Sequence, residues 1–285
     1  MKKVLILFTV FIVSIWSTDV KADITRIDEL EKTIKLDPND YISRFNLGKA
    51  YNTLGLYEDA LKQFQEVLRI EPVYPAALFG LGGTYGDLGR FEEAAKAYKD
   101  AVKIDPMYGE AQYGLGWTYH KLNQCDKGIP HLLEAVRILP KMASAHFTLA
   151  KCYTLLEVHT EAQDEFKKAI KYNPVYPEAQ LGLGKSYKAL GQNNKAIFYF
   201  KKAIDINPQF EEALTDLGDL YIQIDQPERA LTPLKNAVLL NPKNANAQDY
   251  LGTAFSKVGQ HKNAVTPFKE LISLNPRSHL PYFKL

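Results

Sequence analysis

The feature that most constrains this chain is a series of eight prolines that recur every 34 residues without an insertion. They are Pro38, Pro72, Pro106, Pro140, Pro174, Pro208, Pro242 and Pro276. The stretch PVYPEAQLGLGKSY at residues 174–187 matches PVYPAALFGLGGTY at residues 72–85 in nine of fourteen positions, and the two lie three periods apart. A fixed period of this length indicates a repeated building block rather than a duplicated catalytic motif.

Aligning the chain on these prolines brings further residue types into register. Each period carries a Leu followed by Gly or Ala, then an aromatic residue three positions later, as in Leu47-Gly48 and Tyr51. A small residue and a large apolar residue follow four positions apart, as in Ala60 and Phe64, and Gly128 is the one exception to Ala at that small position. Apolar residues at steps of three and four predict two amphipathic helices per period.

This register resembles the tetratricopeptide repeat family, whose unit has 34 residues. The resemblance implies an all-α fold, a right-handed α-solenoid of antiparallel helix pairs in which each pair buries its apolar face against its neighbours. Seven units are predicted, and together they span residues 41–278. Their bounds are 41–74, 75–108, 109–142, 143–176, 177–210, 211–244 and 245–278.

The N-terminus reads differently from the repeats. Lys2 and Lys3 precede a mostly apolar run from Val4 to Trp16, and small residues at Val20 and Ala22 match a signal-peptidase site. We therefore expect residues 1–22 to be a cleaved secretory signal, and the location to be the bacterial periplasm or cell envelope. The rival interpretation is an uncleaved anchor, but the run is shorter than the roughly 20 residues that span a bilayer.

Two short segments flank the seven units. Residues 23–40 predict one N-terminal capping helix, with Leu30, Ile34 and Leu36 at core positions. We expect residues 279–285 to form a short C-terminal stub, which would leave no room for a separate catalytic domain. We expect this stub to leave Phe268 and its neighbours Leu271 and Ile272 incompletely covered, which would favour self-association through the C-terminal end.

Charge and residue spacing argue against several classes of function. Three Lys and one Asp leave with residues 1–22, so 32 basic and 32 acidic side chains remain, without the basic excess of a nucleic-acid binder. The six histidines form no metal motif, and His146 is expected in the core. No nucleophile set or phosphate loop is present, so we predict no enzyme, no cofactor and no metal site.

The resemblance implies that ligands lie on the concave face lined by the first helix of each unit. Positions 2, 5, 9 and 12 of that helix form one stripe, which is aromatic and basic over units one to five. The face turns acidic in unit six, at Glu212 and Asp219 of the stripe and at the neighbouring Asp216. The candidate binding residues are Phe45, Lys49, Phe79, Tyr113, Trp117, His120, Phe147, Lys151, Lys185 and Lys188. The alternative is that the position-5 aromatics only pack on neighbouring repeats. Gly80, Gly83 and Gly86 are expected to leave a shallow spot in this face.

Two functions remain open from the sequence. The first is an exported, non-catalytic scaffold that binds an extended or acidic segment of a partner protein. The second is an accessory protein for polysaccharide assembly or secretion in the cell envelope, since aromatic faces also suit sugar rings. The family's clamp for a C-terminal carboxylate uses Lys and Asn at positions 5 and 9 of its first unit. Here these positions hold Phe45 and Lys49, which argues against that ligand.

Two further expectations concern cysteines and prolines. Cys125 opens the second helix of unit three and Cys152 lies late in the first helix of unit four, so either two buried thiols or a disulfide between them fits the repeat frame. Prolines inside three second helices predict local bends rather than breaks. These prolines are Pro130, Pro233 and Pro267.

Overall fold

The computed structural model describes the backbone of residues 18–274 and the side chains of residues 25–274. The first part of the predicted signal and the C-terminal stub lie outside these residues. Within them the chain is all α-helical, and no strand is present. The helices are α1 Thr18–Leu36, α2 Tyr41–Thr53, α3 Tyr57–Ile70, α4 Pro75–Asp87, α5 Phe91–Ile104, α6 Gly109–Lys121, α7 Cys125–Ile138, α8 Ala143–Leu155, α9 His159–Tyr172, α10 Pro177–Ala189, α11 Asn193–Ile206, α12 Glu211–Gln223, α13 Pro227–Leu240, α14 Ala245–Lys257 and α15 His261–Leu274.

The helix ends follow from local chemistry. Two first helices begin with proline at their first position, Pro75 and Pro177, where the missing N–H costs no helical hydrogen bond. The second helices stop two residues before the recurring proline, because a residue that precedes proline is disfavoured in the helical region. A side chain at position 4 then fixes the corner: the Nε2 atom of Gln112 donates to the carbonyl of Pro106 at 3.1 Å, and Gln248 does the same to Pro242 at 2.8 Å.

Small residues let the two helices of a unit approach closely. A Cβ added at Gly82 would lie 2.7 Å from the ring of Tyr98, and one added at Gly252 would lie 2.5 Å from the ring of Phe268. The aromatic ring of the second helix therefore occupies the space that a side chain on the first helix would need. Rings such as Phe64 and Phe166 are almost fully buried by this packing.

The chain divides into two compact units at residue 140, one up to Pro140 and one from Lys141. In the first, Ala60, Phe64 and Leu81 belong to one cluster of buried side chains. The second contains a longer cluster that includes Phe166 and Phe200. Consecutive helices pack in chain order within each unit, as a repeat fold requires.

Helix α1 packs on α2 through Ile27, which is buried with Leu47 and Ala50. Leu30 and Ile34 are half-buried there, as expected, but Leu36 is 89% exposed. The expectation for Leu36 was wrong because α1 ends at this residue, beyond the surface that α2 covers. The helix begins at Thr18 and runs through the predicted cleavage point after Ala22, so processing at that site stays a prediction.

Two other expectations can be compared with the structure. Pro130, Pro233 and Pro267 lie inside α7, α13 and α15, and each helix continues through its proline; the predicted bends stay predictions. Phe268 is 1% exposed, so the expectation that it would be left uncovered was wrong; its ring lies against Gly252 of α14.

None of the described helices combines the length and the hydrophobicity that a membrane span requires.

Candidate functional site

We call positions 2, 5, 9 and 12 of the first helices the first-helix stripe. Three of its position-5 aromatics, Phe45, Phe79 and Phe147, are half-buried, because each packs between a second-helix ring and the tyrosine that precedes the next unit. The ring centroids of Phe147 and Tyr176 lie 4.7 Å apart, and those of Phe147 and Phe166 lie 5.9 Å apart. Phe45 and Phe79, which lie in the compact unit up to Pro140, repeat this arrangement. This packing supports a structural role for all three rings.

Lysines of the stripe lie beside these rings. The Nζ atom of Lys49 is 5.7 Å from the ring centroid of Phe45, and that of Lys151 is 5.9 Å from the centroid of Phe147. Both lysines are exposed, four residues after their aromatic partners on the same helix face. An exposed ammonium next to a half-buried ring offers a partner both a charge and an apolar contact.

Trp117 of α6 lies against the preceding helix pair. Its indole is 3.3 Å from the position of a Cβ at Gly86, and its ring meets Phe91 edge-on at 5.9 Å between centroids. The Nζ atom of Lys121 is 5.4 Å from the indole centroid. Tyr113, one turn earlier on the same helix, is half-buried.

The expectation that glycines leave a shallow spot on this face was wrong for two of the three. Trp117 fills the space beside Gly86, and the ring of Phe64 lies 2.7 Å from a Cβ position at Gly80. At Gly83 the nearest atom is the hydroxyl of Tyr98 at 3.6 Å, which is ordinary contact. Two of these glycines therefore accommodate aromatic rings of the protein itself.

His120 and Cys125 lie together at the end of α6 and the start of α7. The Nδ1 atom of His120 is 3.6 Å from the Sγ atom of Cys125, whose residue is 4% exposed. Cys152 is fully buried in α8. The burial of both cysteines agrees with either sequence expectation, and the bond between them stays a prediction.

The two lysines of unit five are engaged by acids of unit six. The Nζ atom of Lys185 lies 2.5 Å from Glu212 Oε1 and 3.2 Å from Asp216 Oδ2. Lys188 pairs with Asp219, whose Oδ2 also accepts from the Nε2 atom of Gln223 at 2.7 Å. The sequence interpretation treated these lysines as an open basic surface, whereas carboxylates of α12 form ion pairs with both of them.

Burial shifts the titration of this network. The pKa of Asp216 is raised by burial, and the nearby ammonium of Lys185 offsets that effect only in part. The pKa of Lys185 is also raised: burial opposes its charge, but the carboxylates of Glu212 and Asp216 outweigh that effect. Asp216 Oδ2 makes no hydrogen bond within the described residues, although Lys185 lies within ion-pair distance.

A second polar cluster was missed by the sequence interpretation. His146 is 4% exposed, which confirms the expectation that it is a core residue, and its Nδ1 atom lies 2.5 Å from Glu165 Oε2. The Nζ atom of Lys168 lies 2.6 Å from the other oxygen of Glu165, and the ring of Tyr172 stacks on His146. Burial raises the pKa of Glu165, but the hydrogen bonds and charges of His146 and Lys168 lower it by a larger amount. The net effect is a pKa below the usual value for Glu. A Glu near the middle of a second helix gives no signal of this in the sequence.

Sequence comparison identifies the repeat type. Three tetratricopeptide repeat models match the chain: one at residues 46–106, 79–143 and 159–209, a second at 189–253 and a third at 29–62. These matches together cover more than half of the chain. No curated protein sequence matches it.

Solved structures share the fold. YrrB, described as a tetratricopeptide repeat protein with an unusual peptide-binding site, is 25% identical with a TM-score of 0.57, and the match covers 65% of this chain and 95% of YrrB. MamA is 29% identical with a TM-score of 0.55, covering 60% of this chain and 93% of MamA. PilF of Pseudomonas aeruginosa is 19% identical with a TM-score of 0.64, over 74% of this chain and 95% of its own, and supports the fold alone.

Proposed function

The chain belongs to the tetratricopeptide repeat family, and from this we propose that it binds an extended segment of a partner protein along the first-helix stripe. Proteins of this fold are generally non-catalytic scaffolds for protein interaction. YrrB, which shares the fold, is described as having a peptide-binding site. A repeat scaffold offers a partner a row of similar surfaces, which suits a ligand without a fold of its own.

The observation that carries the proposal is the pairing of an exposed lysine with a half-buried ring on the stripe. Lys49 with Phe45 and Lys151 with Phe147 present this pair once in each compact unit. Aromatic rings already held by their neighbours lose little freedom when a ligand covers them, so their contact area contributes to affinity at a low entropic cost. The ammonium groups attract acidic residues of the segment.

The test is a double charge reversal, Lys49→Glu with Lys151→Glu, assayed for capture of peptides from a random phage-displayed library. Both lysines are exposed, so the fold should persist, and we expect peptide capture to fall by tenfold or more. Lys96→Glu with Lys201→Glu is the matched control, because it makes the same charge change on exposed second-helix positions of α5 and α11. Equal capture by both double variants would contradict binding at the stripe.

A glycan array on the same proteins tests the polysaccharide alternative. Binding of neutral glycans that is lost in Trp117→Phe, with no peptide captured, would favour a role in polysaccharide assembly. Because Trp117 packs against Gly86 and Phe91, the conservative Phe substitution retains an aromatic ring there. Peptide capture without glycan binding supports the scaffold.

Export is also part of the proposal, on the basis of the basic and apolar start of the chain and the small residues at Val20 and Ala22. We expect the protein isolated from its native compartment to begin at Asp23. Intact-mass measurement checks this, and replacement of Ala22 by Arg should block cleavage. A native protein that retains residues 1–22 would contradict a cleaved signal.

Self-association through the C-terminal end is the remaining part of the proposal. Leu271 and Ile272 of α15 are half-buried and Leu274 is 37% exposed, so the last described helix keeps apolar surface. Sedimentation at increasing concentration should show dimers that Leu271→Glu abolishes. A protein that stays monomeric throughout would contradict it.

A further inference from the structure

The ion pairs between α10 and α12 lie on the surface where the proposed ligand would bind. Lys185 and Lys188 occupy positions 9 and 12 of α10, and their partners Glu212 and Asp219 occupy positions 2 and 9 of α12. The side chains of Lys188 and Asp219 are only 23% and 13% exposed, so this pair is shielded from screening by salt. An acidic ligand residue must compete with these carboxylates for the two ammonium groups.

The count of charges in the network favours the carboxylates. Two ammonium groups face three carboxylates, those of Glu212, Asp216 and Asp219. The network therefore carries a net negative charge when every group is ionised. It repels an acidic side chain that approaches α10 and α12 and tolerates a neutral or basic one.

We propose that Glu212 and Asp219 determine specificity by occupying Lys185 and Lys188, so that a bound segment places no acidic residue over α10 and α12. The inference rests on the proposed function, because it concerns the same stripe. The inference assigns different preferences to two parts of the stripe. Exposed lysines such as Lys49 and Lys151 bind acidic residues of a segment, while the carboxylates on α12 disfavour acidic residues over α10 and α12.

Asp219→Asn tests this most cleanly. The substitution keeps an oxygen that can accept from Gln223 but removes the charge that holds Lys188. Glu228→Gln is the matched control, since it removes one negative charge from the second helix α13, outside the first-helix stripe, where the side chain is exposed and makes no ion pair within the described residues. Both variants would first be compared with the parent by circular dichroism and thermal melting.

The readout is selection from a random phage-displayed peptide library against the parent protein and both variants. We expect Asp219→Asn to raise the frequency of Asp and Glu in the selected peptides about two- to five-fold, and Glu228→Gln to leave it near the parent value. Peptides selected with the same acidic content by the parent and Asp219→Asn would overturn the inference while the proposed function stands. Selection of no peptides by any of the three proteins would overturn both.

A measurement without ligand adds an independent check. Reaction with an amine-directed acylating reagent, followed by peptide mass spectrometry, should modify Lys188 of the parent several-fold more slowly than exposed Lys49. In Asp219→Asn the rate at Lys188 should rise toward that of Lys49, and in Glu228→Gln it should not. Equal acylation rates at Lys188 in the parent and in Asp219→Asn would overturn the inference, whatever the thermal stability of the variant.

Discussion

The residue that follows each first helix by two positions has a positive φ in every unit. Gly55, Gly89, Gly191 and Gly259 adopt this conformation at little cost, but Asn123, Glu157 and Asp225 also hold φ between 55° and 60°. Asn and Asp tolerate the left-handed region better than Glu, whose side chain gains nothing there. Glu157 is therefore the most strained of the seven.

We predict that Glu157→Gly stabilises the protein by about 1 kcal/mol, because it relieves the left-handed conformation of a side-chain-bearing residue. Asn123→Gly is the control and should change the free energy of unfolding by less than about 0.5 kcal/mol. Urea unfolding of both variants measures the difference. A loss of stability in Glu157→Gly would show that the side chain makes a contact worth more than the strain.

Glycines inside helices give a second prediction, with opposite signs at two positions. A Cβ at Gly128 would lie 2.9 Å from the backbone oxygen of Gly116, which cannot move aside as a side chain can. At Gly83 the nearest atom is 3.6 Å away. We expect Gly128→Ala to destabilise by about 1–3 kcal/mol through overpacking, and Gly83→Ala to stabilise by up to about 1 kcal/mol through helix propensity. Thermal melting of both variants would show opposite shifts, and shifts of the same sign would contradict this account.

At the scale of elements, the pKa values of one buried and one half-buried carboxylate are shifted in opposite directions. The pKa of Glu165 in the α8–α9 pair is lowered from 4.5, so its contribution to stability is present above that pH and is lost as the pH falls through the folded value. The pKa of Asp216 in α12 is raised from 3.8, so the folded protein binds its proton more tightly and gains stability as the pH falls toward 3.8.

These signs predict how the isosteric amides behave. The stability advantage of the parent over Glu165→Gln should shrink on going from pH 7 to below about 4.5, while that of the parent over Asp216→Asn should grow over the same interval. Urea unfolding at a series of pH values measures both differences. Each variant controls for the other, because both remove one carboxylate from the same compact unit.

The helices themselves could be predicted from the sequence, but the contacts between side chains of different helices could not. The 34-residue register of prolines predicted the all-α repeat fold, and the first helices begin at Tyr41, Pro75 and Gly109, the first residues of predicted units. The pairing of Lys188 with Asp219 depends on how far α10 and α12 are rotated about their axes, and the two residues are 31 positions apart. No local sequence pattern predicts that rotation, so the sequence interpretation treated Lys185 and Lys188 as exposed basic residues without acidic partners.

For the whole molecule, the repeat frame explains why the fold was predictable. Within each compact unit, each helix pair meets the next through the same small and aromatic positions, so one register error would misplace every later pair. The same regularity misled the interpretation of the stripe: aromatics at position 5 look like a binding surface, yet Phe79 and Phe147 pack on the tyrosines that precede the next units. Whether they also contact a ligand is what the lysine reversals test.

The frame also supports a covalent prediction, a disulfide between Cys125 and Cys152. Cys125 is the first residue of α7, and Cys152 lies three residues before the end of α8. In the repeat frame, the start of a second helix is expected beside the end of the first helix that follows it. Cys125 is 4% exposed and Cys152 is 0% exposed, so neither side chain contributes appreciably to the solvent-accessible surface of the protein. Export to an oxidising compartment would favour the bond.

A bond at this spacing closes a loop of about 27 residues and adds about 3 kcal/mol by restricting the unfolded chain. We therefore expect protein purified from its native compartment and unfolded in denaturant to show no titratable thiol, and two thiols after reduction. The parent should melt several degrees higher when oxidised than when reduced, whereas Cys125→Ser with Cys152→Ser should melt at the same temperature in both conditions. Two thiols in the unreduced protein would exclude the bond and leave the pair as buried core residues.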